Sequence, residues 1–163
     1  MKELVCGTMW VPYISLELKL MPTPMAQSIV CTDNGEFVAG LIFDGYNGAS
    51  VAMHVLIKGV PRRDWMVCIF DYPFNVLKVR KVIGQIAEDN PKSLKFATSL
   101  GFAKEASISG FFPNGAALEL LTMTRVQCKV LNDPRWAEVA AKVTRKRHGQ
   151  QEHRDGAEPA AHR

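Results

Sequence analysis

The sequence predicts an α/β fold built on one mixed, twisted sheet of about six strands flanked by helices, and three observations support this. Apolar residues alternate or cluster in strand-length segments bounded by turn residues. A strand-helix-strand-helix succession fills the middle of the chain, which favours a sheet with parallel members. The 163 residues, 47% apolar, are enough for one core and too few for two ordinary domains.

Near the N-terminus Trp10, Val11, Ile14, Leu18 and Met21 fit helical spacing with Pro12 in the first turn, so a short helix is expected, stopped by Pro22 and Pro24. Ser28 to Thr32 reads as a strand, Asp33-Asn34-Gly35 as a tight turn, and Glu36 to Asp44 as its antiparallel partner. In Ala49 to Lys58 both alternating sets are largely apolar, as in a strand covered on both faces. After the loop Gly59-Val60-Pro61-Arg62-Arg63, Asp64 is expected to cap a helix buried through Trp65, Met66, Ile69 and Phe70 and ended by Pro73. Val79 to Ala87, Glu105 to Phe112 and Leu118 to Val126 complete the strands. Trp136, Val139 and Val143 fit a last helix docking on the body.

The most specific stretch runs from Asn90 to Phe102. Asn90 can cap backbone N–H groups, Pro91 suits the first helical position because its absent N–H would be unpaired there, and Gly101 stands where a left-handed residue ends the helix. Leu94, Ala97 and Leu100 give that helix one narrow apolar side.

An asparagine-started helix ending in Gly-Phe directly after a strand resembles the GCN5-related N-acetyltransferase superfamily, over roughly residues 28 to 131. Asn90 followed by Ser93, with Ala97 where many members carry a tyrosine acid, is similar to the branch that acetylates protein N-termini and ribosomal proteins. Phe43-Asp44-Gly45-Tyr46-Asn47-Gly48, Met53-His54-Val55 and Phe70-Asp71-Tyr72-Pro73-Phe74-Asn75 resemble small phage and prophage acetyltransferases.

The resemblance implies an acetyl-CoA-dependent enzyme that passes the acetyl group to an amine by direct attack, with no metal. It implies cofactor contacts from the backbone of Val55, Leu56 and Ile57, from Lys58, Arg62 and Arg63 in the pyrophosphate loop, and from Asn90 and Ser93. A strand leading into a helix N-terminus is a physically favourable place for phosphate. The loop lacks the glycines of the superfamily pattern, which puts more weight on its cationic side chains. For proton transfer the candidates are His54, whose ordinary pKa of about 6.5 suits a base near neutral pH, and Tyr72 as an acid in place of the missing tyrosine. Asp44, Glu105, Tyr46, Thr98 and Ser99 are weaker candidates. A catalytically degenerate module that binds a protein, such as a host protein, is the competing reading.

Composition narrows the partners. No run nears the roughly 18 apolar residues of a membrane span and no leader pattern is present, so a soluble, cytoplasmic protein is expected. Cys6, Cys31, Cys68 and Cys128 are too widely spaced for a zinc ribbon and are expected as reduced thiols. Of the net charge of +4, +3 lies from Lys142 onward, which divides the chain into a domain at 1–143 and a basic, unstructured tail at 144–163. Nucleic acid is not the expected partner of so short a basic tail. A homodimer is compatible with the resemblance.

Overall fold

A computed structural model of the chain describes residues 1–155, with side chains through residue 146. Seven strands form one mixed sheet in the order β1-β2-β3-β4-β5-β7-β6. They are β1 (Lys2–Gly7), β2 (Gln27–Asp33), β3 (Glu36–Asp44), β4 (Ser50–Ile57), β5 (Lys81–Ala87), β6 (Ala103–Ile108) and β7 (Leu118–Met123). Helix α1 (Val11–Leu18) precedes β2, α2 (Arg63–Asp71) links β4 to β5, and α3 (Pro91–Leu100) follows β5. Short α4 (Lys129–Asn132) and long α5 (Ala137–Asp155) close the described chain. Among the described residues no helix is long and apolar enough to cross a membrane.

Only β4 and β5 pair in parallel; every other neighbouring pair is antiparallel. The expected hairpin forms between β2 and β3, with Asn34 and Gly35 at positive φ in its turn. One strand was missed: β1 is an edge strand of mixed burial whose place comes from pairing with β2, a long-range contact that no local pattern announces.

The sheet has two unequal faces. Ile29, Leu41, Phe43, Val51, Met53 and Val82 pack under α2, α3 and α5 in the larger core, while Val30 and Ile42 meet Ile14 of α1 in a smaller one. Trp65 is fully buried and its indole N–H donates to the Ile29 carbonyl at 3.0 Å, which ties α2 to β2. Trp65, Val67, Ile69 and Phe70 are all buried, more of the α2 circumference than the expected stripe, because α5 covers the side away from the sheet. Phe96 is 39% exposed on the outer face of α3.

Three further expectations are corrected. Arg62, not Asp64, precedes the first turn of α2, and the Asp64 carboxylate takes the Arg62 guanidinium instead of backbone N–H groups. Pro73 does not end the helical path. Lacking an N–H, it shifts the ladder into a π turn over Tyr72–Val76, closed by Leu77 N–H to the Tyr72 carbonyl at 2.9 Å. Residues 144–155, expected as an unstructured tail, continue α5, in keeping with their Lys, Arg, Gln and Glu content; residues 156–163 lie outside the described residues.

Candidate active site

The site begins where β4 and β5 part. They pair only from Ser50↔Lys81 to Met53↔Gly84, yet β4 continues to Ile57 and β5 to Ala87. Each stays paired with its outer neighbour over that length, β4 with β3 to Ile57↔Ala39 and β5 with β7 to Ala87↔Leu118. The gap is therefore a splay between two supported strands rather than a frayed edge.

The Lys58 N–H donates to the Val38 carbonyl at 2.9 Å. Because hydrogen-bonding direction alternates along an antiparallel strand, Leu56 also turns its backbone toward β3, whereas Val55 and Ile57 turn theirs toward the gap. Two of the three residues expected to hold the pantetheine arm thus offer N–H and C=O groups to an extended ligand. Such a ligand would complete the interrupted ladder.

His54 stands at the first position of β4 past its pairing with β5, beside Ile42 of β3 on the α1 face. With Asp44, Gln85 of β5 and the post-α1 residues Leu20, Met21 and Pro22 it lines a cavity of about 190 Å³. Burial pushes the His54 imidazole below its ordinary pKa, and the Asp44 charge opposes that shift. The ring is accordingly neutral near pH 7 and able to accept a proton. Burial alone would raise the Asp44 pKa, but hydrogen bonds from the Thr23 hydroxyl (2.5 Å), the Thr23 N–H (3.2 Å) and the Gly45 N–H (2.9 Å), together with His54, hold it below the usual carboxylate value. Asp44 does two jobs: it places a negative charge beside His54 and clamps the loop that walls the cavity.

Tyr72 lies on the other face. Its ring packs on Phe43 with centroids 5.3 Å apart, and Phe43 and Ile42 point to opposite sides of β3. Burial raises the Tyr72 pKa, and the groups acting on it are Cys6 and Tyr46. The structure therefore separates His54 and Tyr72 across the sheet.

The cationic side chains after β4 do not converge. Lys58 meets Glu17 at 2.7 Å and the Tyr13 hydroxyl at 2.8 Å, and these partners, Glu17 foremost, raise its pKa. Arg62 is shared between Asp64 and the Lys2 carbonyl (2.6 Å). Arg63 donates to the Arg135 carbonyl at 2.9 Å and lies over the Trp136 ring. Among the described residues no side chain caps α2, so its first N–H groups are left as donors without a side-chain acceptor.

At the other helix start the Asn90 side chain accepts the Ser93 N–H at 3.1 Å, and Gly101 ends α3 at φ 116°. Asn90 and Ser93 are thus brought together, first of all as a cap. Glu105 is held by Lys81 and Thr122, and Thr98 and Ser99 return their hydroxyls to the α3 backbone. Gln85 and the Leu20–Pro22 wall were not foreseen. Gln85 sits in an ordinary strand pattern, and the wall is assembled by the fold alone.

This arrangement, a sheet opened between parallel strands with helix N-termini following both, is the fold of GCN5-related N-acetyltransferases. No protein-family model matches the chain and no curated protein matches it by sequence. Solved structures match in fold. The dodecameric spermidine N-acetyltransferase from Vibrio cholerae superposes with TM-score 0.62 at 16% identity, over 82% of this chain and 98% of that one. The same enzyme in complex with CoA and spermine gives TM-score 0.56 at 17% identity, over 72% and 75% of the two chains.

Proposed function

We propose that this chain is a soluble, cytoplasmic N-acetyltransferase that moves an acetyl group from acetyl-CoA to a primary amine. The observation that carries this reading is the splay after Met53 and Gly84 with His54 at its start. Acetyl-CoA lies along the free edge of β4 with its diphosphate toward the start of α2, and Asn90 and Ser93 flank it from α3. The amine enters through the His54 cavity on the opposite face. Its nitrogen lone pair attacks the thioester carbonyl, the C–S bond breaks, and CoA leaves as the thiolate. The proton lost by the amine passes to neutral His54, directly or through water, and then to the thiolate or solvent. The Val55 N–H, facing the gap, is placed to polarise the thioester carbonyl. The catalytic unit is residues 1–143, and the Asn-x-x-Ser helix start aligns it with the branch acting on protein N-termini. Prophage origin and a homodimeric assembly complete this reading.

The polyamine specificity of the fold neighbours supports amine acetylation as a class and is not carried over as a substrate. The test is CoA release with a panel of amines, run beside calorimetry with acetyl-CoA. His54→Gln should lower kcat about 100-fold while acetyl-CoA affinity stays the same. An unchanged rate removes His54 from the mechanism, and no binding at high micromolar acetyl-CoA contradicts the enzyme.

One observation favours a second reading, a degenerate fold that binds a protein. Lys58, Arg62 and Arg63 are all engaged within the chain. Recovery of one stoichiometric partner together with absent CoA binding would select that reading.

A further inference from the structure

The acceptor cavity has a chemical character of its own. Among the described residues its lining contains one carboxylate, Asp44, and one neutral amide, Gln85; the remaining wall is Leu20, Met21 and Pro22 beside His54. Asp44 already accepts from three donors of Thr23 and Gly45, which leaves it able to attract one cation rather than to anchor a chain of them. The other acid near α1, Glu17, is taken by Lys58.

Size sharpens the point. A volume of about 190 Å³ is the share of roughly six liquid waters, enough for an amino group and a few carbons. The rest of any acceptor must lie over the mouth, where Met21 is 99% exposed. An unbranched thioether side chain is a soft apolar surface that adapts to varied partners. A polyamine placed there would set its second and third charges against this surface with no acid beyond Asp44 among the described lining residues to meet them, a desolvation cost without return.

We infer that the acceptor is an amine carrying a single positive charge on an apolar body, with Met21, at the rim of the cavity, as the specificity-determining contact. This rests on the acetyltransferase reading and deepens it. Two sources share this chemistry, small aryl-alkyl amines and peptide N-termini with apolar first residues, and both are probes in the test.

The experiment measures kcat/KM by CoA release for phenethylamine, for the peptide Met-Leu-Gly and for spermidine, with acetyl-CoA binding followed separately by calorimetry. One or both apolar-bodied amines should exceed spermidine by about tenfold or more, the scale on which apolar pockets discriminate. The better of the two identifies the source. Met21→Glu, at a side chain too exposed to affect folding, should cut the preferred amine by about tenfold and raise spermidine. Spermidine as best substrate, or an unchanged preference in Met21→Glu, overturns the inference while leaving the acetyltransferase reading intact. Absence of acetyl-CoA binding overturns both.

Discussion

The two helices that follow the parted strands begin in opposite ways. At α3 the chain supplies its own start: Asn90 takes the Ser93 N–H, Pro91 occupies the first position, and Gly101 closes the other end. At α2 no side chain caps the start, and Arg62 and Arg63 reach instead to β1 and to the segment before α5. A self-capped helix satisfies part of its first turn from within the chain. An uncapped one leaves N–H groups for a ligand. The cations that made the second start conspicuous in the sequence are structural ties, and its bare backbone is what suits a diphosphate.

The largest effect that would sharpen this contrast is expected at the end of α3. A Cβ on Gly101 would stand 2.0 Å from the Gln127 carbonyl oxygen at a φ of 116°, so Gly101→Ala must displace backbone. It should cost about 3 kcal/mol or more in urea denaturation; a loss below about 1 kcal/mol would show that the 124–128 turn gives way freely. Next comes His54, where the acid limb of kcat/KM should fall below the ordinary histidine value of about 6.5, because burial lowers its pKa. Asp44→Asn removes the interaction that opposes this lowering, so the limb should move further toward acid; a move toward neutral pH would reverse the assigned sign.

The same groups set a stability slope. Asp44, with its pKa depressed in the fold, stabilises above its unfolded pKa, and this is lost as pH falls through the folded value. His54 is likewise depressed, so acidification through the ordinary histidine range favours unfolding.

Smaller still, Asn90→Ala should cost about 1 kcal/mol in thermal or urea unfolding, the usual worth of an N-cap, and weaken acetyl-CoA only slightly. Arg63→Ala should leave acetyl-CoA affinity within about threefold, since its guanidinium rests on Trp136. A loss of tenfold or more would restore Arg63 as a phosphate ligand and erase the distinction between the two helix starts.

Much of the fold was legible because its signals are local. The β2–β3 hairpin follows from Asp33-Asn34-Gly35, and α3 from its cap, proline and glycine. What was illegible depends on distant partners. Strand β1 exists through β2, and the turn after Pro73 is a helical register shift rather than a stop. For the site, His54 and the β4 backbone were readable as candidates from the family resemblance. The opposite-face placement of Tyr72 required knowing that Phe43, not Ile42, faces α2. Gln85, Met21 and the Asp44–Thr23 clamp join only when the sheet opens and the post-α1 loop folds over it.

The central claim is that the gap between β4 and β5 holds the acyl donor along one strand edge. It is tested most directly by amide hydrogen exchange of the full chain with and without acetyl-CoA, resolved at single residues. The account predicts new protection at Val55 and Ile57, whose N–H groups face the gap, and little change at Leu56, already turned toward β3. Unchanged exchange at both Val55 and Ile57 under saturating acetyl-CoA would contradict it.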